Sequence, residues 1–395
     1  MNKKLIFVIF QKLLFFSVLI FLLLPVTRKW AESSTIYNFN LLYCIYLVFL
    51  SFIISFIINP FLIKLSHSIG LLDHPDEARK HHKKPVALSG GSSIYLAFIA
   101  TMLFNFHFSL EVKAILIASS LIFFVGLADD RWGLSANFRL AIQLIASFIV
   151  ILYGVRVTFV PDFLGGIVTE TIITIIWLIG ITNSMNFIDG MDGVASGSGV
   201  IYGIFFAIVA FFTKQYYLLF FSCALVGSCL GFLPFNFRKK KSADAFLGDS
   251  GSTFLGFLLA CFAILGNWGE SIIDIIVPIF ILSVLIFDMT LTTIYRISKG
   301  QVKTFNQWIH YTGRDHLHHR LADLTGSKYW ATWLFWAISV SFGIEALAIL
   351  FANVSVSLLI LAHSILTFVI IGILLVIKGP NANSNQSNGI NIERT

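Results

Sequence analysis

Apolar residues fill this chain in long runs, and polar residues fall in short blocks between them. The runs are apolar on every side. They show neither the alternation of a β-barrel strand nor the single stripe of an amphipathic helix. About 20 mostly apolar residues in a helix cross a bilayer. The pattern predicts twelve such spans, roughly 5–24, 41–63, 91–108, 112–128, 138–154, 171–182, 194–212, 216–235, 252–266, 272–293, 330–350 and 356–377. The sixth is short, and Gly166 is an earlier start for it. The expected fold class is all-α, a polytopic membrane helical bundle of eleven or twelve transmembrane helices.

Five intervening blocks are long or chemically rich: 64–90, 129–137, 183–193, 236–251 and 294–329. Between consecutive blocks lie about 38 to 45 residues, enough for two helices at 1.5 Å per residue. Two helices return the chain to its starting side, so all five blocks are expected on one face. They hold sixteen of the 27 Lys and Arg residues and eight of the ten histidines. The positive-inside rule makes that face cytoplasmic.

Composition agrees. The chain is 57% hydrophobic and 12% charged, against about 25% charged in soluble domains. Mean hydropathy is +0.87. The net charge of +7 is explained by loop charge on the cytoplasmic side, so no nucleic-acid partner is expected. Cys44, Cys223, Cys229 and Cys261 sit within apolar runs without CxxC spacing, as small core residues do. Residues 1–25 resemble a signal peptide, with a basic start and an apolar centre. Lys12 interrupts the run and no small-x-small cleavage site follows, so a retained first helix is expected.

The chemistry lies in the five blocks. "GLADDRWGLS" sets Asp129 beside Asp130 at the end of a span. Adjacent acids repel, so a solvated helix end gains little from them, whereas a cation or a phosphate-bearing substrate gives them a use. "NSMNFIDGMDG" spaces Asn186, Asp189 and Asp192 at i, i+3 and i+6, along one face if the helix continues. These are hard oxygen donors of the kind that suit Mg²⁺ or Mn²⁺. "AFLGDSGST" places Asp249 where a helix begins, either as an ordinary N-cap or as a partner of a metal-diphosphate group. "GRDHLHHRL" gathers Arg314, His316, His318, His319 and Arg320. Without HExxH or a cysteine partner, zinc is a weak reading, and a phosphate pocket or an interfacial helix on anionic lipid fits better. "LLDHPDEARKHHKKPVALSGG" is the least specific of the five. Together, metal-binding acids and phosphate-binding bases at one membrane surface fit phosphoryl transfer at a diphosphate.

These five motifs, in this order over about 71–321, resemble the polyprenyl-phosphate N-acetylhexosamine-1-phosphate transferases. The resemblance implies Mg²⁺-dependent coupling of a UDP-sugar, usually UDP-GlcNAc, to undecaprenyl phosphate, giving a lipid-diphosphate sugar and UMP. It implies a multi-pass protein of the bacterial inner membrane with a cytoplasmic active site, and it allows a homodimer. By motif, Asp249 is the expected Mg²⁺ ligand and Asn186 a second. Asp129 is the base that deprotonates or orients the lipid phosphate, with Asp130 beside it. Asp189 and Asp192 hold the nucleotide end, and Phe246 stacks on uracil. Lys83 or Lys84, Arg314, His316, His318 and His319 are the phosphate-binding candidates. The expected organisation is an added N-terminal helix and loop (1–40), the transferase core (41–329), a C-terminal hairpin (330–378) and a disordered polar tail (379–395).

The chain departs from the family pattern in three places. "RKKK" lengthens the stretch from Asn236 to Phe246, which weakens a nucleotide role for Asn236. Arg314-Asp315-His316 replaces the usual Asp-Arg-x-His, leaving the phosphate-contacting arginine open. Arg320-Leu321 stands where the cell-wall translocase has Phe-Glu, which favours an unsubstituted N-acetylhexosamine over MurNAc-pentapeptide. Rival classes fit less well. "DGMDGVASG" lacks the arginine of the CDP-alcohol phosphotransferases. An ion-coupled transporter would hold its acids near the midplane.

Overall fold

Most helices start or stop where the sequence supplies a cap, a glycine or a charge. The computed structural model describes residues 41–75, 84–105, 109–239, 242–266, 275–311 and 313–377. Over these, the elements run α1 (Leu41–Ile69), β1 (Leu72–Asp73), β2 (Val86–Leu88), α2 (Gly90–Asn105), α3 (Leu110–Trp132), α4 (Ala136–Leu152), α5 (Gly166–Ile188), α6 (Val194–Phe212) and α7 (Tyr216–Asn236). Then come β3 (Ala245–Phe246), α8 (Gly248–Leu265), α9 (Ile276–Ile281), α10 (Ser283–Ser298), α11 (Phe305–His310), α12 (Leu317–Thr325), α13 (Lys328–Phe351) and α14 (Val354–Ile377).

Among the described residues, eight helices are long and apolar enough to cross a membrane: α1, α3, α5, α6, α7, α8, α13 and α14. The apolar α2 and α4 are shorter. The chain is a multi-pass membrane protein. The sixth expected span does begin at Gly166. The tenth differs from expectation, because 272–293 is not one helix. Leu282 separates α9 from α10 at φ −99° and ψ 10°. No glycine or proline stands at the break; Leu282 is fully buried, so packing sets the bend. The expected first span and the polar tail lie outside the described residues.

The bundle is organised around α8, in which 83% of the apolar window is buried, against 17% for the peripheral α14. Without a hydrophobic force between helices in lipid, close packing through small residues replaces it. Gly126 of α3 lies against the first turn of α8, where an added Cβ would stand 2.6 Å from the Ser250 Cα. Gly91 of α2 meets α8 equally closely, with an added Cβ 2.4 Å from the Gly251 nitrogen.

A three-stranded sheet, absent from the all-α expectation, ties the first and fourth polar blocks together. β2 pairs antiparallel with β1 (Leu72 opposite Ala87) and parallel with β3 (Leu88 opposite Phe246). The strands are two or three residues long and carry little periodicity to read. Helix α13 belongs to the core, since Thr332 Oγ1 donates to the Asp192 carbonyl (3.2 Å) and Trp336 Nε1 to that of Val194 (3.4 Å).

Gly126→Val would drive a side chain into the α8 backbone, costing about 1–3 kcal/mol as overpacking does. The variant is expected to lose thermal stability in detergent, whereas Gly180→Ala, which meets nothing within 4 Å, keeps the wild-type Tm.

Candidate active site

The "GLS" after "DDRW" is a stop followed by a start. Gly133 ends α3 at φ +65°, its N–H bonded to the Asp129 carbonyl. The Ser135 hydroxyl then caps α4 by accepting the Phe138 N–H (3.3 Å). The tight turn sets the last turn of α3 against the first of α4. Arg139 Nη1 therefore lies 2.6 Å from Asp129 Oδ2, and Asp129 Oδ1 accepts the Leu134 N–H at 2.6 Å. Arg139 Nη1 also reaches Asp249 Oδ2 at 3.4 Å. Arg139 was absent from the sequence-derived candidates; its one signal is a lone arginine heading the apolar run "FRLAIQLIASFIVIL".

Asp130 does something other than assist its neighbour. Its carboxylate accepts the N–H groups of Asp249 (2.7 Å) and Ser250 (3.1 Å) at the start of α8. It is the N-terminal cap of a helix distant in sequence, and its charge complements that helix's dipole. Gly248 is needed beside it. Its φ is +77°, and an added Cβ would stand 2.7 Å from an Asp130 oxygen. Asp249 is thus oriented by backbone, by Arg139, and by Asn186, whose Nδ2 donates to Asp249 Oδ1 and to Ser252 Oγ, both at 2.8 Å. Asn186 turns its amide NH₂ toward Asp249 and so serves as that acid's support.

The expected single helical face for Asn186, Asp189 and Asp192 is corrected. Helix α5 ends at Ile188, and a turn carries Asp189 to Gly193, the latter at φ +81°. Asn236 holds this turn: its Oδ1 accepts the Gly193 N–H and the Ser196 hydroxyl, both at 2.8 Å, while its Nδ2 donates to the Ala245 carbonyl (3.1 Å). Its polar atoms are thereby spent on linking the turn to β3. Burial, then the charges of Asp249, Asp130 and Asp192, pushes the Asp189 carboxyl well above the usual range.

The histidine motif divides by position. His316 faces inward, its Nδ1 hydrogen-bonded to Asp288 Oδ2 (2.8 Å) and its Nε2 accepting from Arg296 Nη2 (3.2 Å). With both nitrogens engaged it positions the loop, so its expected phosphate contact is withdrawn. Arg296 also grips Asp315 through two bonds of 2.7 Å. His318 is fully buried and, among the described residues, has no hydrogen-bond partner at either ring nitrogen. It packs on Gly190, where an added Cβ would lie 2.4 Å from His318 Nε2 and 3.3 Å from His319 Nε2. Burial, with neighbouring positive groups, lowers His318 well below its ordinary range and takes His319 to about 4. Both are therefore neutral near pH 7.

The acids and Asn186 meet at one cavity of about 590 Å³. Every one of the five polar blocks lines it, through Asp73, Asp129, Asp189, Asp249 and Lys328 among others. Asp130, Asn186, Asp192 and Phe246 complete the sequence-derived residues found there. A family model described as glycosyl transferase family 4 matches residues 112–267. A probable undecaprenyl-phosphate N-acetylglucosaminyl 1-phosphate transferase of Bacillus subtilis is 31% identical over 328 residues, 80% of this chain and 88% of that protein. The chain belongs to glycosyl transferase family 4. Also similar are a decaprenyl-phosphate N-acetylglucosaminephosphotransferase of Mycobacterium leprae (30% identical, 71% of this chain, 77% of that protein) and a phospho-N-acetylmuramoyl-pentapeptide-transferase of Caldicellulosiruptor bescii (28%, 77% and 96%).

In this family 4 glycosyl transferase, Lys84 and Arg314 are exposed and do not line the cavity, and Lys83 lies outside the described residues. His318 and His319 border it through Gly190. Asp73 and Lys328 line it although neither was a sequence-derived candidate.

Asp130→Ala removes the cap of α8 and is expected to cost about 1–2 kcal/mol, seen as a lower Tm, with Asp130→Asn losing less. The histidines give a pH signature. Unfolded, they titrate near 6.5; folded, His319 titrates near 4. Between these values the unfolded chain binds protons that the folded chain refuses. Their stabilisation is therefore full above pH 6.5 and lost as pH falls toward 4. A Tm–pH curve in detergent is expected to fall over that window, and His319→Gln to flatten it.

Proposed function

We propose that this chain transfers a sugar-1-phosphate, GlcNAc-1-phosphate in the first instance, from a UDP-sugar to undecaprenyl phosphate. The observation that carries the reading is an acid-lined cavity to which all five polar blocks contribute. A soluble nucleotide-sugar and a lipid phosphate can meet only at a membrane surface. The excess of basic residues on that side supports a cytoplasmic location at the bacterial inner membrane. The relatives of Bacillus subtilis and Mycobacterium leprae, at 31% and 30% identity, are both named for N-acetylglucosamine, which favours GlcNAc over the pentapeptide-bearing sugar.

A phosphate oxygen of the lipid attacks the sugar-bearing phosphorus of the UDP-sugar. The bond from that phosphorus to the bridging oxygen breaks, and UMP leaves with that oxygen. Asp129, held by Arg139 and the Leu134 N–H, is placed to orient the lipid phosphate and take its proton. Asp189, Asp192 and Phe246 line the same cavity and would receive the nucleotide.

The donor set fits Mg²⁺, with Mn²⁺ as an alternative. Six carboxylates line the cavity and Lys328 is the one cationic lining residue among the described residues, so a bound diphosphate would be repelled without a cation. Among the described residues no group of three or more His, Cys, Asp or Glu forms a ready-made metal cage. That suits Mg²⁺, which is usually held by one or two carboxylates plus substrate phosphates. Asp249 would hold it, oriented by Asn186 and Arg139. Bound there, the ion would offset charge on the transferred phosphoryl group.

Membranes or purified protein are expected to release UMP from UDP-GlcNAc and undecaprenyl phosphate, with chelation abolishing the release. Asp129→Asn and Asp249→Asn are expected to lower turnover by about a hundredfold or more while the protein stays folded. A panel of UDP-GlcNAc, UDP-FucNAc, UDP-QuiNAc and UDP-MurNAc-pentapeptide identifies the sugar; no UMP from any of them would overturn the reading.

A further inference from the structure

One turn deeper than the acids, in the apolar layer, α4 and α5 exchange a pair of amide hydrogen bonds. Asn183 Nδ2 donates to Gln143 Oε1 at 2.7 Å, and Gln143 Nε2 donates back to Asn183 Oδ1 at 3.4 Å. Asn183 Nδ2 also donates to the Ile179 carbonyl of its own helix (2.8 Å), and Gln143 is 5% exposed. Neither side chain lines the cavity.

Their places in the sequence give the pair its meaning. Gln143 follows Arg139 by four residues, and Asn183 precedes Asn186 by three. Residues so spaced share one helical face. The pair therefore lies one turn beneath Arg139 on α4 and one turn beneath Asn186 on α5. Those two residues hold opposite oxygens of a single carboxylate: Arg139 reaches Asp249 Oδ2 and Asn186 reaches Asp249 Oδ1. Apolar contacts alone would let either helix turn about its axis. An amide pair has a donor end and an acceptor end, so it is satisfied at one rotation only, and a missed bond is expensive where water is absent. Being neutral, it adds no charge beneath a crowded set of acids.

We propose that Gln143 is a positioning residue for the transfer reaction, acting through Asn183 to set how Arg139 and Asn186 hold the Asp249 carboxylate. The proposal rests on the transferase reading above. The groups expected to meet the nucleotide are held by other contacts. Asn236 and Thr332 secure the Asp192 turn, and the sheet secures Phe246. Loosening the amide pair should therefore disturb turnover and Mg²⁺ use and leave nucleotide-sugar binding in place.

The test uses the full chain in nanodiscs, with Gln143→Leu, Gln143→Asn and the swapped pair Gln143→Asn/Asn183→Gln. Readouts are kcat and KM for UDP-GlcNAc, the Mg²⁺ midpoint for UMP release, and the Mg²⁺ midpoint of the thermal shift. Both single variants are expected to lower kcat by about ten- to hundredfold and raise both Mg²⁺ midpoints. KM for UDP-GlcNAc should stay within about twofold of wild type, because only uniform binding would move it. The swapped pair restores the combined reach and should recover most of kcat. A folded Gln143→Leu with wild-type kcat and Mg²⁺ midpoints overturns the proposal, as does a swapped pair no better than Gln143→Asn. If Gln143→Leu fails to fold, Gln143→Asn and the swapped pair decide. A wild-type chain that releases no UMP defeats the transferase reading instead. The thermal-shift midpoints then still judge the amide pair, and unchanged midpoints in the variants overturn its role.

Discussion

The carboxylate of Asp130 on the first N–H groups of α8 is the interaction on which the rest of the structure depends. Helix α8 is the most enclosed of the membrane helices, and its N-terminus opens into the cavity. Unsatisfied N–H groups there would be costly, and positive dipole charge would go uncompensated. Asp130 meets both demands from another helix. The close approach it requires explains Gly248 beside the carboxylate and Gly126 and Gly91 along the α8 backbone. Once α8 is seated, Asp249 in its first turn has one place to be.

From that point the site is a problem of charge. Six acids line one cavity, and the protein compensates them sparingly: Arg139 bridges Asp129 and Asp249, Asp130 is spent on backbone, and Asn186 donates a neutral amide. That surplus negative charge is what a divalent cation would offset. Behind Gly190, His318 and His319 are kept neutral by burial, so they add no fixed cation beside the acids. The buried Asp288–His316–Arg296–Asp315 chain holds their loop against α10. It also gives the bend at Leu282 a use, since Asp288 and Arg296 face inward on the helix that follows it.

The same residue types were thus divided between contact and support in a way their motifs do not reveal. Asp129 and Asp130 are adjacent, yet one faces Arg139 and the other a helix end. His316 and His318 are two apart, yet among the described residues one has both nitrogens engaged and the other neither. Adjacent side chains on a helix point about 100° apart, so neighbours in a motif need not share a neighbour in space.

Sequence by itself determined the multi-pass bundle, the common side of the five polar blocks and the family. These follow from hydropathy, parity and motif order, which local residues carry without reference to distant ones. Only the tertiary structure decided that the face carrying Asn186 breaks before Asp192, that Arg139 joins the acids, that short strands link 86–88 to 245–246, and that Gln143 pairs with Asn183. The last three are meetings between segments far apart in the chain, and the first is held by one, through Asn236. Such meetings are chosen by the rotation and depth of whole helices, which no single motif encodes.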